Sequence, residues 1–355
     1  MASTDNGQPL LEVDGLTVEV EVEGRSLRAV NDVSFSVHAG ETRGLVGESG
    51  SGKSLTLRAL TGLLPPNARV SSGRLRVDGT AYELADNRRG ASKALARLRG
   101  STISMIFQEP AVALNPVIPV GEQIVDAAVR ERDMNRKQAR DYAIHLMERA
   151  GIDDAGTRVD AYPFELSGGL QQRVMIASSV ARDPKVVLCD EPTTALDVTV
   201  QRKILELFAE LRDELGVGLV YVTHDLAVVA QLCDSLTVLY GGQVMESSDD
   251  LSDILAKPKH PYTEALLRST PDVDRISRRL YSIPGSAPAL GDRPDGCPFA
   301  PRCEYRQDDC EVGIIPDTSP MTGRVVHCLH QVGTSARGTL DKPRSSVEPI
   351  QESAE

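Results

Sequence analysis

The stretch "GLVGESGSGKSLTL" constrains this 355-residue chain more than any other. It sets Gly47, Gly50, Gly52, Lys53 and Ser54 in the spacing G-x-x-x-x-G-K-S, straight after an apolar run and straight before a helical pattern. Residues Gly47, Glu48, Ser49, Gly50, Ser51 and Gly52 then form a loop whose backbone can wrap closely around phosphates, with N–H groups aimed inward at a helix N-terminus. In that arrangement Lys53 neutralises the β- and γ-phosphates, and the Ser54 hydroxyl completes a Mg²⁺ shell. The expected framework is an α/β fold in which a strand feeds a helix through this loop.

The rest of the chain supports that framework. Residues 1–9 and 335–355 are polar and read as tails. Short β-branched runs punctuated by Gly occupy residues 11 to about 77 and suggest strands and turns. From about 85 to 170, apolar positions recur at helical spacing, as an inserted helical subdomain would require. Strand–helix alternation then returns, with "KVVLCDEP" and "GVGLVYVTHD" as near-continuous apolar runs that suit parallel strands covered on both faces. The first of these ends in Asp190 and Glu191, and ligands of open α/β sheets sit outside the carboxyl ends of the strands. Asp190 is placed to bind Mg²⁺, and Glu191 to polarise the attacking water as a general base.

A phosphate loop alone fits kinases, GTPases, motors and transport ATPases. In "ELSGGLQQRVMIASSVARDP", Ser167, Gly168 and Gly169 open a helix, so their N–H groups and the helix dipole make a second anion site. One nucleotide does not need two such sites in one chain; the economical reading is that this one faces a γ-phosphate held by another subunit.

On these residues the chain resembles the ATP-binding-cassette ATPases, whose signature matches Leu166 to Gly169. The resemblance implies a RecA-like P-loop cassette over residues 10–260, in which those strands and turns form an antiparallel β subdomain. It also implies roles for three further residues: Gln108 in "SMIFQEP" as the Q-loop glutamine, which contacts Mg²⁺ and the attacking water; Asp197 in "TTALD" at the seam of a cassette dimer; and His224 as the switch histidine on the γ-phosphate. The catalytic set is then Glu191, His224, Gln108 and Lys53, while Ser167, Gly168, Gly169 and Asp197 meet the partner's ATP. Two departures stand out. Leu170 follows the signature where many cassettes have Gln, and no aromatic residue occurs before Phe35. The family usually stacks such an aromatic on adenine; the matching place, near Val18 to Val22, is aliphatic, so adenine contact is expected to be weaker.

"EPAVALNPVIPVGEQIVDA", "KHPYTEALLRSTP" and "IPGSAPAL" narrow the resemblance to ATPase subunits of oligopeptide/dipeptide-type importers over residues 10–330. Such systems pair two related ATPases beneath two membrane permeases, with an extracytoplasmic substrate-binding protein delivering cargo. The family also serves nickel, glutathione and oligosaccharides. The N-terminus lacks a basic start followed by an apolar stretch, and no apolar run is long enough to cross a bilayer, so the protein is expected at the cytoplasmic face of a bacterial membrane, attached through its partners. A soluble cassette acting on nucleic acid or ribosomes is disfavoured by the net charge of −12 and the 4% aromatic content, and no nucleic-acid partner is expected.

Four of six cysteines crowd the end of the chain: Cys297, Cys303, Cys310 and Cys328, within a segment expected to form a small irregular domain over 261–334. Disulfides are unexpected in the cytosol, and structural zinc usually uses close C-x2-4-C pairs, which are missing. Zinc, an iron–sulfur cluster and plain thiols all remain open on spacing. The importer family's resemblance implies a [4Fe–4S] cluster there. His327 and His330 flank Cys328 and read as bystanders, while Cys189 and Cys233 lie in apolar runs and read as core thiols.

Overall fold

The computed structural model describes residues 8–85, 90–194, 196–270, 281–319 and 323–333. The expected tails thus lie almost wholly outside the described residues. Two sheets form the frame. The first is antiparallel, in the order β2-β1-β4-β5, from β1 (Leu11–Val22), β2 (Arg25–Val37), β4 (Ala68–Val77) and β5 (Thr80–Glu83). The second has seven strands in the order β11-β10-β9-β3-β8-β7-β6. Its members are β3 (Thr42–Val46), β6 (Ile103–Ile106), β7 (Val186–Asp190), β8 (Gly218–Thr223), β9 (Ser235–Tyr240), β10 (Gln243–Ser248) and β11 (Arg324–Val326).

The five strands from β9 to β6 run parallel, and β10 and β11 close the edge antiparallel. All residues of β3, β7 and β8 are buried, as their unbroken apolar character requires of strands covered on both faces. The pleat divides them between two cores. Leu188, Val220 and Val222 face the antiparallel sheet and α1 (Lys53–Thr61), where Leu11, Leu57 and Leu60 meet them. Cys189, Leu219 and Tyr221 face the opposite side.

That opposite side is helical. α2 (Gly90–Leu98) stays on the α1 side, with Leu95 and Leu98 in that core, whereas short α3 (Pro110–Ala113) precedes α4 (Val120–Arg132), α5 (Arg136–Arg149) and α6 (Ala155–Arg158) on the far side. Then come α7 (Gly168–Val180), α8 (Val198–Leu215), α9 (Leu226–Leu232), α10 (Leu251–Ala256) and α11 (Pro261–Ser269). Asn135 and Gln138 form a reciprocal capping box that starts α5, and Gly216 in a left-handed conformation ends α8. The 85–170 stretch is not helical throughout. β6 lies within it and pairs with β7, because "ISMI" alternates faces and inserts as the parallel edge strand.

The C-terminal residues join this frame. β11 adds the last strand to the seven-stranded sheet, and so pairs the otherwise open edge of β10. Arg324 anchors it: its guanidinium is buried against the fully buried Glu246 carboxylate, with Asp253 and the Lys257 carbonyl completing its contacts. A buried ion pair broken on one side leaves an unpaired charge, which typically costs about 3–5 kcal/mol. Arg324→Ala is therefore expected to lower the thermal midpoint by several degrees, whereas substitution of the exposed Arg202, paired only within its helix to Glu206, should leave it unchanged.

Candidate active site

Strand order brings the chemistry together. β3, β8 and β7 are neighbours and parallel, so their carboxyl ends open side by side. β3 runs into the glycine loop, β7 ends at Asp190 and Glu191, and β8 ends just before His224. Gly47 makes the first turn possible: its φ is 157°, and a Cβ there would lie 2.0 Å from the Leu239 carbonyl oxygen.

Lys53 curls back into the loop it follows. Its ammonium donates to the carbonyls of Gly47 at 2.7 Å and Glu48 at 3.0 Å, and lies 4.0 Å from Glu191 Oε1. Burial pulls its pKa down, against the opposing pull of Glu191, Asp190 and Glu48. The Ser54 hydroxyl donates to Asp190 Oδ1 at 2.7 Å. Burial pushes the Asp190 carboxyl upward, with the Ser54 hydrogen bond opposing it. Two hard oxygen donors, one of them a desolvated carboxylate, suit a Mg²⁺ ion that keeps several of its waters.

Glu191 sits in the left-handed region at φ 45°, uncommon for a residue with a side chain and typical of positions where a site fixes its geometry. Its Oε2 accepts from Thr194 Oγ1 at 2.9 Å and lies 3.3 Å from His224 Nδ1. Gln108, Glu191, His224 and Lys53 line one cavity of 930 Å³ with Glu48 through Ser54.

The signature residues are elsewhere. Ser167 caps α7, its hydroxyl accepting from the Leu170 N–H, and Asp197 caps α8 by accepting from the Thr199 and Val200 N–H groups. The two helix ends are close, since a Cβ on Gly169 would lie 3.0 Å from a Val200 methyl. None of Ser167, Gly168, Gly169 or Asp197 lines the cavity, and Val198 beside them is 82% exposed.

Sequence reasoning missed the group that braces the loop from outside. Arg302 Nη1 pairs with Glu48 Oε2 at 2.7 Å and donates to the Tyr240 hydroxyl at 3.0 Å, while its other nitrogens donate to the carbonyls of Ile283, Pro284 and Gly285. The Glu48 N–H donates to the Tyr262 hydroxyl at 2.9 Å. Tyr240, Tyr262 and Phe299 pack together beneath it. No local pattern announces a pairing across 254 residues.

Arg302 adjoins the cysteines. Cys297, Cys303, Cys310 and Cys328 all line one small pocket of 20 Å³ with His260 and His330. Burial pushes the Cys297 thiol up to about 11 and Cys303 to about 12, and raises Cys310 as well. His260, 3.9 Å from Cys297 Sγ through Nε2, accepts from the Tyr262 N–H through Nδ1; burial pulls its pKa down to about 3. The His327 ring is hydrogen-bonded to the Val244 carbonyl at 2.6 Å. His330 pairs with Asp309 at 2.8 Å, and these two with Cys310 form a group of ligand atoms within 4.8 Å of one another. Cys189 and Cys233 are buried core thiols, as expected.

Comparison with known proteins gives the family. The chain is 43% identical over 331 residues to the dipeptide transport ATP-binding protein DppD of Escherichia coli, spanning 93% of this chain and 99% of that one. It belongs to the ABC transporter ATPases. The ABC transporter family matches residues 30–194, and the family described as the oligopeptide/dipeptide transporter C-terminal region matches residues 245–310. A peptide import ATP-binding protein of Brucella abortus is 44% identical over 327 residues, 92% of this chain and 96% of its own length. Among solved structures, the cassette MJ0796 in a dimeric post-hydrolysis state with ADP and Pi has a TM-score of 0.57 at 27% identity, over 66% of this chain and 96% of that one. A second dimeric structure of that bacterial ABC transporter cassette gives 0.58 at 28%, with the same coverage. As in other ABC ATPases, the substrate is ATP with Mg²⁺.

Within this ABC ATPase, Arg302 neutralises a carboxylate that lines the cavity. Arg302→Ala is expected to cost about 1–3 kcal/mol of stability and to weaken ATP binding, measured by thermal unfolding and titration calorimetry. Glu48→Gln added to that variant should recover most of the ATP affinity, because it removes the exposed like charge.

Proposed function

We propose that this chain is the ATP-hydrolysing subunit of a membrane importer for peptides, acting at the cytoplasmic face beneath two permeases and paired with a second, related ATPase. The observation that carries the reading is the joint placement of Lys53, Asp190, Glu191 and His224 at three adjacent strand ends, in a chain whose relatives are named as peptide and dipeptide transport ATP-binding proteins.

In this reading the Lys53 ammonium turns from the Gly47 and Glu48 carbonyls to the β- and γ-phosphate oxygens. Ser54, Asp190 and Gln108 hold Mg²⁺, which draws charge from the bridging phosphate oxygens when bound. Glu191, oriented by Thr194 and adjacent to His224, accepts a proton from the attacking water. Ser167, Gly168, Gly169 and Asp197 lie outside the cavity, so they serve the partner's nucleotide, and ATP closes the pair. A groove of 440 Å³ lined by Leu63, Phe107 and Leu114 together with Arg99, Gln123 and Arg182 offers a seat of mixed polarity for a permease segment one residue from Gln108. No helix among the described residues is long and apolar enough to cross a membrane, which fits attachment through permeases.

The region from Pro261 is the importer-type C-terminal domain in this reading, and its cysteines hold a [4Fe–4S] cluster. Convergence of four cysteines on one pocket supports a shared ligand. The cluster's chemistry is thiolate ligation, so loading must expel the protons that burial keeps on Cys297 and Cys303.

Two measurements test these statements. Glu191→Gln, assayed with the partner ATPase present, is expected to lower hydrolysis by about 10²-fold or more while ATP binding persists; equal rates would sink the catalytic assignment. Anaerobically purified protein is expected to be brown, with broad absorbance near roughly 400 nm that Cys303→Ser removes. Colourless protein carrying one zinc per chain would overturn the cluster.

A further inference from the structure

The cavity above the phosphate loop has a second end that the triphosphate does not need. The loop end carries Lys53, Ser54, Gln108 and Glu191; the far end is walled by Val20 of β1 and Ala29 of β2. Ala287, Pro288, Ala289, Leu290 and Arg293, more than 250 residues along the chain from Val20 and Ala29, line the same cavity, with Arg293 beside Ala29. They belong to "IPGSAPALGDR", a stretch that the phosphate chemistry leaves unused. The strand where the cassette family usually presents an aromatic to adenine is aliphatic in this chain.

The wall is held in place rather than merely nearby. Arg293 Nη1 donates to the Arg28 carbonyl at 2.9 Å and to the Ala29 carbonyl at 3.4 Å. The guanidinium lies across the turn between β9 and β10. There Gly242 has a φ of 79°, and a Cβ on it would sit 2.8 Å from Arg293 Nη1 and 2.2 Å from the Ala29 oxygen. Only glycine leaves room for that approach. Behind the wall, Arg302 ties the carbonyls of Ile283, Pro284 and Gly285 to the phosphate loop through Glu48. Pro288 and Leu290 are half-buried and apolar, and Arg293 Nε is buried with no hydrogen-bond partner.

We propose that residues 287–293 form the base-binding wall of the nucleotide site in cis. Pro288 and Leu290 pack on one face of the purine, and the flat Arg293 guanidinium, fixed by the Arg28 and Ala29 carbonyls, supplies a cationic surface for the ring. The inference rests on reading the cavity as the ATP site and adds where the base is held. The adenine contact expected to be weak for want of an aromatic on β1 is supplied from the other end of the chain.

The test separates base from phosphate. Full-length protein, wild type and with Leu290→Ala or Arg293→Ala, is titrated calorimetrically with Mg-ATP and, separately, with Mg-tripolyphosphate, which has the phosphates and no base. Either variant is expected to weaken ATP about tenfold, the effect of one good ring contact, and to change tripolyphosphate binding less than twofold. Leu290→Ala removes no hydrogen bond, so it keeps the test valid if Arg293→Ala unfolds. Equal losses for both ligands would overturn the proposal, since the segment would then only shape the loop. Unchanged or tighter ATP binding would overturn it too, the latter marking the segment as an obstruction. Lys53→Ala stands apart: if it spared both ligands, the phosphate-site reading would fail, whatever the wall does.

Discussion

A lysine ammonium buried in the crook of a glycine loop is the interaction on which the site depends. Lys53 has two backbone carbonyls for company and Glu191 at the limit of ion pairing. Desolvation weakens its hold on the proton, and the three nearby carboxylates oppose that loss only in part. A cation kept in that balance is ready for phosphate oxygens, because anionic ligands replace weaker neutral acceptors. The loop can present it only where a strand ends in the middle of a parallel sheet, and β3, third strand in from the β6 side after β7 and β8, supplies such an end. Asp190 and Glu191 on β7 and His224 beyond β8 reach the same point because those strands are parallel and adjacent.

Most of this was readable from the chain, for a physical reason. The loop, the acidic pair and the signature each occupy a few consecutive residues, so local spacing carries their chemistry. Buried parallel strands were legible because covering both faces removes polar residues from β7 and β8. Where reading failed, the determinant was long-range. β6 was absorbed into a helical stretch because four residues between helices give too short a pattern to distinguish. Arg302 and Arg293 look like ordinary surface arginines in sequence; their partners are Glu48 and the Ala29 carbonyl, more than 250 residues away. The four cysteines, crowded in sequence, line one pocket, but His260, packed against Cys297, belongs to the N-cap of α11 and carried no signal.

The C-terminal segment emerges as part of the ATPase frame. It contributes an edge strand through β11, a brace through Arg302 and a cavity wall through residues 287–293. Arg302 and Cys303 are consecutive, so the brace on the phosphate loop and the cysteine pocket share one short turn of backbone. Stability of the pocket and geometry of the loop are therefore coupled through covalent adjacency, without a relay of side chains.

That the cavity is walled by both ends of the chain also has a consequence in time. A ribosome releases Val20, Ala29 and Lys53 long before Leu290, Arg293 and Arg302. At about 5–20 residues per second, the interval is on the order of tens of seconds. During it the glycine loop exists with one side of its cavity missing and Glu48 without its guanidinium. Such late, non-local closure is slow to form. It leaves the nascent chain with a bare phosphate cradle first and a complete nucleotide pocket only near the end of synthesis.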